Sequence, residues 1–441
     1  MYHSAKKTKY FTMILAFFMA LCFLNFTKVY AEPVEVTADG AVLIDELTGE
    51  VLYDKNKDEQ FPPASTTKIM TALLVLEKSN LDDLVTVCKE CEPVEGSKIY
   101  IFEGEQMTVR DLLHALMKVS ANDAAIALAK HISGSTEDFA KLMTERAKEL
   151  GCKNTTFKNP HGLYQEGHVT TAYDLSLIMR ELMKQPNFKE IASSYSYEIQ
   201  PTNKCNEVRP LWNQNYLLYP ENPLYYKYAE AGKTGYTDES LHSYVASAKK
   251  DGTRLIAAFL HDGKKTFFKD AKNLFEYGFN NFQVVKAVSK DDVLAECSLK
   301  DNSSTIPLVA KNDLYVVKNL SSDKEISDIK LSTEDITFGR EAVAKGTKLT
   351  TASVSYNGEI FNVDVVSGTD YVPPVLTFKD KLKDFTKTNT FNLILGGILV
   401  LFLLFILLIF RVRSIRKKRR LMKKYNIHVS SPNLYRSNRR K

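Results

Sequence analysis

The sequence has no HExxH run, no carboxylate triplet beside His161 and His168, and no second CxxC to complete a zinc site with Cys88 and Cys91. Metal-dependent hydrolysis and structural zinc have no ligand set to start from, so both histidines read as hydrogen-bonding groups. Cysteine is scarce, six in 441 residues, and Cys22 falls in an apolar N-terminal run. The other five, Cys88, Cys91, Cys152, Cys205 and Cys297, cannot all pair within one chain; they read as incidental thiols or one local disulfide. Surplus positive charge is missing from the body of the chain. Of a net +6, residues 1–31 hold +4 and residues 411–441 hold +13 with no acid, which leaves −11 over 32–410. That balance argues against a nucleic-acid-binding body and makes the basic ends membrane topology signals. At 44% hydrophobic and 25% charged, the chain is no disordered scaffold, and its length suits two or three domains.

Both ends carry apolar runs. Lys6, Lys7 and Lys9 precede Phe11 to Phe26, and Val29-Tyr30-Ala31 presents small residues where a signal peptidase inspects, so residues 1–31 read as a cleaved signal peptide. Phe391 to Phe410 is twenty residues without a charge, long enough to cross about 30 Å of hydrocarbon. Arg411, Arg413 and the run Arg416 to Arg420 follow at once. The positive-inside rule then keeps the 411–441 tail in the cytoplasm and the body of the chain outside, with 391–410 as a transmembrane anchor.

Along the body, Ala41 to Asp54 reads as a hairpin turning at Leu47-Thr48-Gly49. A helix is expected next, with Ile69, Met70, Leu73, Leu74 and Leu76 at its period and Ser65 at its start, behind Pro62 and Pro63. Thr108 to Asp111 caps a helix bearing Leu112, Leu113, Leu116 and Met117, which delivers Ser120-Ala121-Asn122 to its end before a second helix from Asp123 to about His131. Asn159 to Leu163 is a turn, and Thr170-Thr171-Ala172-Tyr173-Asp174 opens another helix with a threonine at its cap. The strand carrying Lys233 is expected to lie beside the two strands Tyr244–Ala248 and Leu255–Leu260, which turn at Asp251-Gly252. From Val284 to Val372, short β-branched segments (305–309, 314–317, 349–356, 360–366) alternate with turns, the pattern of a small β domain. It carries no chemical constellation, which favours a plain spacer holding the rest of the body off the membrane over the other open reading, a protein-protein contact. Residues 373–390, with Pro373-Pro374 and several lysines, read as a linker.

Three short motifs stand in order: Ser65-Thr66-Thr67-Lys68, Ser120-Ala121-Asn122 and Lys233-Thr234-Gly235. A serine hydroxyl needs a base within hydrogen-bond reach, and a lysine serves only when neutral, a state that burial and a second cation both favour. Lys68, three residues from Ser65, fits that requirement with Lys233 as the cation. Ser120 is placed to relay a proton to a leaving amine, and Asn122 to hold Lys68 and a substrate amide. Lys233 and Thr234 suit a free carboxylate, and Gly235 keeps the strand edge open to a substrate backbone.

The set, with PPASTTKIMTALL, SANDAA, NPHGL, TTAYDL and GKTGYT, resembles the D-alanyl-D-alanine carboxypeptidases, the low-molecular-mass penicillin-binding proteins, over roughly 35–283. The resemblance implies an α+β fold: a β-lactamase/transpeptidase-like domain over 32–283, an antiparallel sheet packed with helices, followed by the β domain 284–372 and the anchor. It implies a serine peptidase that removes the terminal D-Ala from a peptidoglycan stem peptide through an acyl-enzyme on Ser65. It further implies inhibition by β-lactams acting on the same serine, no cofactor, and an oxyanion hole from the backbone N–H groups of Ser65 and Tyr236. Two features depart from the family pattern. Ser240 and Leu241 stand where relatives usually carry an Ala-Gly pair, and 391–410 is expected to span where many relatives end in a surface helix. A β-lactamase shares SxxK and KTG, but its usual SDN is here Ser120-Ala121-Asn122 and no ExxLN run is present; Glu166 lies in an unrelated loop. A non-catalytic wall scaffold is the other alternative, and D-Ala release separates it from the enzyme.

Overall fold

A computed structural model describes residues 34–298, 305–321, 327–331, 341–356, 359–373 and 377–424. The expected signal peptide and residues 425–441 lie outside them. The expected hairpin is present as β1 (Gly40–Asp45) and β2 (Val51–Lys55), its turn held by Thr48, whose N–H and hydroxyl both donate to Asp45 Oδ1. Two short pairs follow, β3 (Leu84–Thr86) with β4 (Gln106–Thr108) and β5 (Ser196–Ile199) with β6 (Arg209–Trp212). The strands β7 (Ala229–Thr237), β8 (Leu241–Lys250) and β9 (Thr253–Asp262) complete the main antiparallel sheet, in the order β2-β1-β9-β8-β7. The Lys233 strand therefore pairs only with β8 and is the sheet edge, leaving one side of its backbone open.

Both faces of this sheet are covered, so its central strands are apolar throughout rather than alternating. Val42, Ile44, Val245, Ile256 and Ala258 join one core, while Ala41, Leu43, Tyr244, Ala246 and Phe259 join the other, the period of two expected of a pleated strand. The first core holds α1 (Lys68–Lys78), α2 (Val109–Lys118), α3 (Asn122–Ser133), α4 (Thr136–Glu149), α5 (Ala172–Leu182) and α6 (Phe188–Ser193). The second rests on α7 (Phe267–Asn281) through Phe267, Phe268, Leu274 and Phe275. Thr108 and Thr171 cap helices as expected and Ser135 caps one the sequence reading did not name; they accept from the N–H groups of Asp111, Asp174 and Asp138 respectively. Replacing Thr171 by Ala removes one such bond at a buried helix end and is expected to lower the unfolding free energy by about 1 kcal/mol, read from urea denaturation.

After α7 the chain turns to strands. β10 (Phe282–Val288) pairs with β13 (Leu314–Asn319), and a second sheet runs β11 (Val293–Ser298), β12 (Thr305–Ala310), β16 (Glu359–Ser367), β15 (Lys348–Tyr356), β14 (Ser327–Leu331). The four segments read from sequence are strands here. β10, β11 and β14 are additional strands that the sequence reading did not name. The span expected to be a linker holds a helix, α8 (Phe378–Phe385), with Phe378, Leu382 and Phe385 exposed. α9 (Asn389–Lys424) encloses the apolar run 391–410 and continues through the basic residues, 36 residues or about 54 Å. No residue of α9 is buried in this fold, which is not how an apolar core helix sits.

Candidate active site

Four stretches distant in sequence meet at the open edge of β7. Ser65 lies in a single 3₁₀ turn, Ala64–Thr67, and Lys68 opens α1, so the serine precedes the α-helix expected to start with it. The change matters chemically. Side chains at i and i+3 eclipse in a 3₁₀ turn, and Lys68 Nζ lies 3.0 Å from Ser65 Oγ. Ala64, just before the nucleophile, has φ +46°, a left-handed conformation that costs a residue with a Cβ about 1–3 kcal/mol. The turn is held from several sides: Pro63 O accepts from Thr66 Oγ1 at 2.6 Å and from Ser243 Oγ of β8 at 2.7 Å.

Lys68 is fully buried, and its Nζ also meets Asn122 Oδ1 at 2.7 Å and the His161 carbonyl at 2.6 Å. Burial and the neighbouring Lys233 push its pKa well below the usual lysine range, the direction the sequence suggests. Lys233, 2% exposed, donates to the Thr234 carbonyl at 2.7 Å, and burial lowers it to about 7. Asn122 begins α3 and clamps the preceding loop, its Nδ2 donating to Glu95 O and its N–H to Ser97 O, both at 2.7 Å. Ser120, at the α2–α3 junction, is buried with φ +62°, and its Oγ has no hydrogen-bond partner among the described residues. A buried hydroxyl left unpaired in a strained backbone is poised for a partner that arrives with a ligand.

Gly235 has a reason the sequence did not give. A Cβ there would stand 2.4 Å from Ser243 Oγ and 2.8 Å from the Ser65 nitrogen, so glycine is needed for β7 to approach the nucleophile turn itself. Thr234 Oγ1 lies 3.4 Å from Gln214 Oε1, and the exposed Tyr236 ring tilts against His242 with centroids 4.6 Å apart. Together with Ser65, Ser120, Thr234, Gly235 and Tyr236, the cleft of about 390 Å³ is lined by Ser97, Gln214, Tyr216, His242, Lys265, Phe267 and Phe268. None of these last seven carries a motif; loops, a 3₁₀ turn at Tyr216, β8 and the start of α7 bring them in. The two weighed histidines are hydrogen-bonded: His168 bridges Thr67 Oγ1 and the Lys158 N–H, and His161 Nδ1 accepts from the Leu163 N–H. Among the described residues no three His, Cys, Asp or Glu are grouped as metal ligands. Cys88 and Cys91 lie with sulfurs 3.0 Å apart, as two thiols.

Three buried amines make stability depend on pH. Lys118, donating to the Ile191 carbonyl at 3.1 Å and to Ser194 Oγ, is lowered by burial to about 8 and Lys233 to about 7, and Lys68 is held well below the usual lysine range by burial and by Lys233. Each binds its proton less tightly folded than unfolded, so the unfolded chain holds more protons between the folded values and the ordinary one near 10.4, and stability rises with pH across that window. The urea midpoint is expected to climb from pH 7 to 8.5 and to climb less in Lys118→Met. A midpoint falling over that interval would contradict burial of these amines.

What the geometry offers is a hydroxyl beside a buried amine whose charge is opposed by burial and by Lys233, a second buried amine, and an open strand edge. Residues 27–264 match the family described as D-alanyl-D-alanine carboxypeptidase, and residues 282–373 match the penicillin-binding protein 5 C-terminal domain. Among curated relatives, D-alanyl-D-alanine carboxypeptidase DacF of Bacillus subtilis is 32% identical over 362 residues, covering 79% of this chain and 90% of that protein. DacC of Escherichia coli is 35% identical over 274 residues, 59% of this chain and 66% of its own length. The crystal structure of penicillin binding protein 5 from Haemophilus influenzae superposes with a TM-score of 0.67 at 26% identity, covering 77% of this chain and 99% of that one. The family match, the similarity to the curated relatives and the superposition thus agree, and the chain belongs to the D-alanyl-D-alanine carboxypeptidase family.

Proposed function

We propose that this chain removes the terminal D-Ala from peptidoglycan stem pentapeptides through an acyl-enzyme on Ser65. The observation that carries the assignment is the 3.0 Å contact between Ser65 Oγ and a fully buried Lys68 whose charge is opposed by burial and by Lys233. Neutral Lys68 accepts the Ser65 hydroxyl proton as Oγ bonds to the penultimate D-Ala carbonyl carbon. The resulting oxyanion is held by the N–H groups of Ser65 and Tyr236. Collapse breaks the C–N bond, and the leaving amine takes the proton through Ser120. Water then hydrolyses the ester, with the same Lys68 and Ser120 groups moving its proton.

Lys233, when protonated, and Thr234 bind the substrate carboxylate, with the cleft-lining Lys265 as a further cation. Asn122 holds the stem amide, and the stem backbone lies along the free edge of β7. A β-lactam acylates the same serine, its expelled amine remaining tethered. Residues 32–283 form the peptidase domain and 284–372 the spacer. The apolar part of α9 anchors the chain in the membrane, with the signal peptide directing export and the basic tail staying cytoplasmic.

The test is D-Ala release from a diacyl-Lys-D-Ala-D-Ala peptide by the full chain in detergent, beside mass spectrometry of a penicillin adduct. Release together with an adduct on the Ser65 peptide supports the proposal. An adduct without release removes the carboxypeptidase activity, and neither signal from folded protein overturns the enzyme reading.

A further inference from the structure

Beside the cleft lies a second, shallower pocket of about 440 Å³, lined by Trp212, Gln214, Tyr216, Tyr219, Glu221 and Asn222 over the buried Asn213. Gln214 and Tyr216 line both, so the two are continuous. The rings form a row that leads into the cleft: Tyr195 to Tyr219 at 5.7 Å between centroids, Tyr219 to Tyr216 at 6.2 Å, Tyr216 to Phe268 at 5.4 Å. They are held firmly from behind. The Tyr219 hydroxyl reaches the carbonyls of Asn213 and Tyr195, and Asn213 Nδ2 donates to Ala192 O at 3.0 Å. Yet Trp212 is 60% exposed, Tyr195 51% and Tyr216 47%. Rigid aromatic faces kept in water beside a reactive cleft mark a binding surface, because little conformational entropy is left to lose when they are covered.

The lining also says what covers it. It contains no Lys or Arg and one carboxylate, Glu221, which disfavours phosphate-rich polymers and anionic lipid. Apolar ring faces flanked by neutral amides and a carboxylate suit a ligand with C–H faces, hydroxyls and acetamido groups. Gln214 Oε1 stands 3.4 Å from Thr234 Oγ1, the β7 residue assigned above to the D-Ala carboxylate, so the shelf lies beyond the leaving residue. We propose that it binds the N-acetylated hexosamine chain of peptidoglycan, on a strand neighbouring the one whose stem is cut. The inference rests on the wall substrate proposed above. Holding that strand raises the local concentration of stems without touching the chemistry.

Trp212 is the chain's only tryptophan and reports on the shelf directly. The full chain in detergent would be titrated with N-acetylchitohexaose, with peptide-free glycan strands released from sacculi, and with free stem tetrapeptide. A saturable shift of Trp212 emission to shorter wavelength is expected with both glycans and not with the tetrapeptide. Trp212→Ala is expected to slow D-Ala release from intact sacculi by about tenfold, the order of losing one aromatic anchor, and to leave release from the diacyl tripeptide unchanged. No shift with either glycan overturns the proposal, as does a shift with the tetrapeptide alone or an equal slowing on both substrates. If the parent chain releases no D-Ala from any substrate, the carboxypeptidase reading fails, while the emission titration still decides the shelf.

Discussion

Replacing Lys68 by arginine is expected to slow acylation by about 10²- to 10⁴-fold, the contribution of a positioned general base. The side chain is similar in length and keeps several donors, so contacts with Asn122 Oδ1 and the His161 carbonyl have a substitute. What is lost is the neutral form. A guanidinium keeps its proton at any working pH, whereas an amine in this pocket is pushed toward neutrality by burial and by Lys233. In the parent, acylation is expected to rise with pH as Lys68 loses its proton. It falls again as Lys233, lowered to about 7, loses the charge that attracts the substrate carboxylate. The arginine variant should lack the rising limb. Rates of labelled penicillin uptake across pH 5 to 9 measure both features, and parent-like uptake by the arginine variant would remove Lys68 from its role as base.

Gly162→Ala is expected to cost about 2–5 kcal/mol and to lower activity by about 10²-fold or more. Gly162 has φ +88°, and an added Cβ would lie 1.9 Å from the Ala64 carbonyl oxygen and 2.9 Å from Thr67 Oγ1. Neither neighbour gives easily. Ala64 is already left-handed, and Thr67 is tied to His168 Nε2 at 2.8 Å. Relief comes only by moving the nucleophile turn away from Lys68's other anchor, the His161 carbonyl in the same 159–163 loop. Gly134→Ala separates strain from collision: φ is +75° there too, but no atom lies within 4 Å, so a loss of about 1 kcal/mol with unchanged activity is expected. Urea denaturation and peptide turnover read the two together. Equal effects at both positions would show that the contact with Ala64 is unimportant.

Much of the site is legible from spacing, because the chemistry sits in side chains at fixed intervals. Ser65 and Lys68, Ser120 and Asn122, and Lys233 to Gly235 converge as three motifs on one cleft. Main-chain features leave no such trace. The acceptor that completes Lys68's contacts is the His161 carbonyl, which any residue would supply, and the left-handed backbone at Ala64 and Ser120 is imposed by packing against side-chain preference. The cleft's aromatic wall was hidden for a related reason. Trp212 to Tyr219 lies in a stretch with one four-residue strand and little periodicity, so only the folded chain brings Tyr216 beside Phe268. In the β domain, β15 and β16 are long and β-branched and read easily, whereas β14 is five residues of mixed polarity whose pairing with β15 is settled by tertiary contact.

The pairing of β1 with β9 also governs when a new molecule becomes active. Val42 is matched to Ala258, and β7 reaches the sheet only through β8, which needs β9 as its other neighbour. A chain appearing from its N-terminus has Ser65 and Lys68 early, but until about residue 262 has followed it lacks both the β7 edge proposed to receive substrate and, packed beside Lys68, the amine of Lys233 that opposes its charge. Closing so long a loop is slow relative to forming the helices, so the final rate is set by the central strands finding each other. Half-made molecules are thereby expected to be silent toward both substrate and antibiotic, which would make labelled penicillin a clock for completion of the sheet.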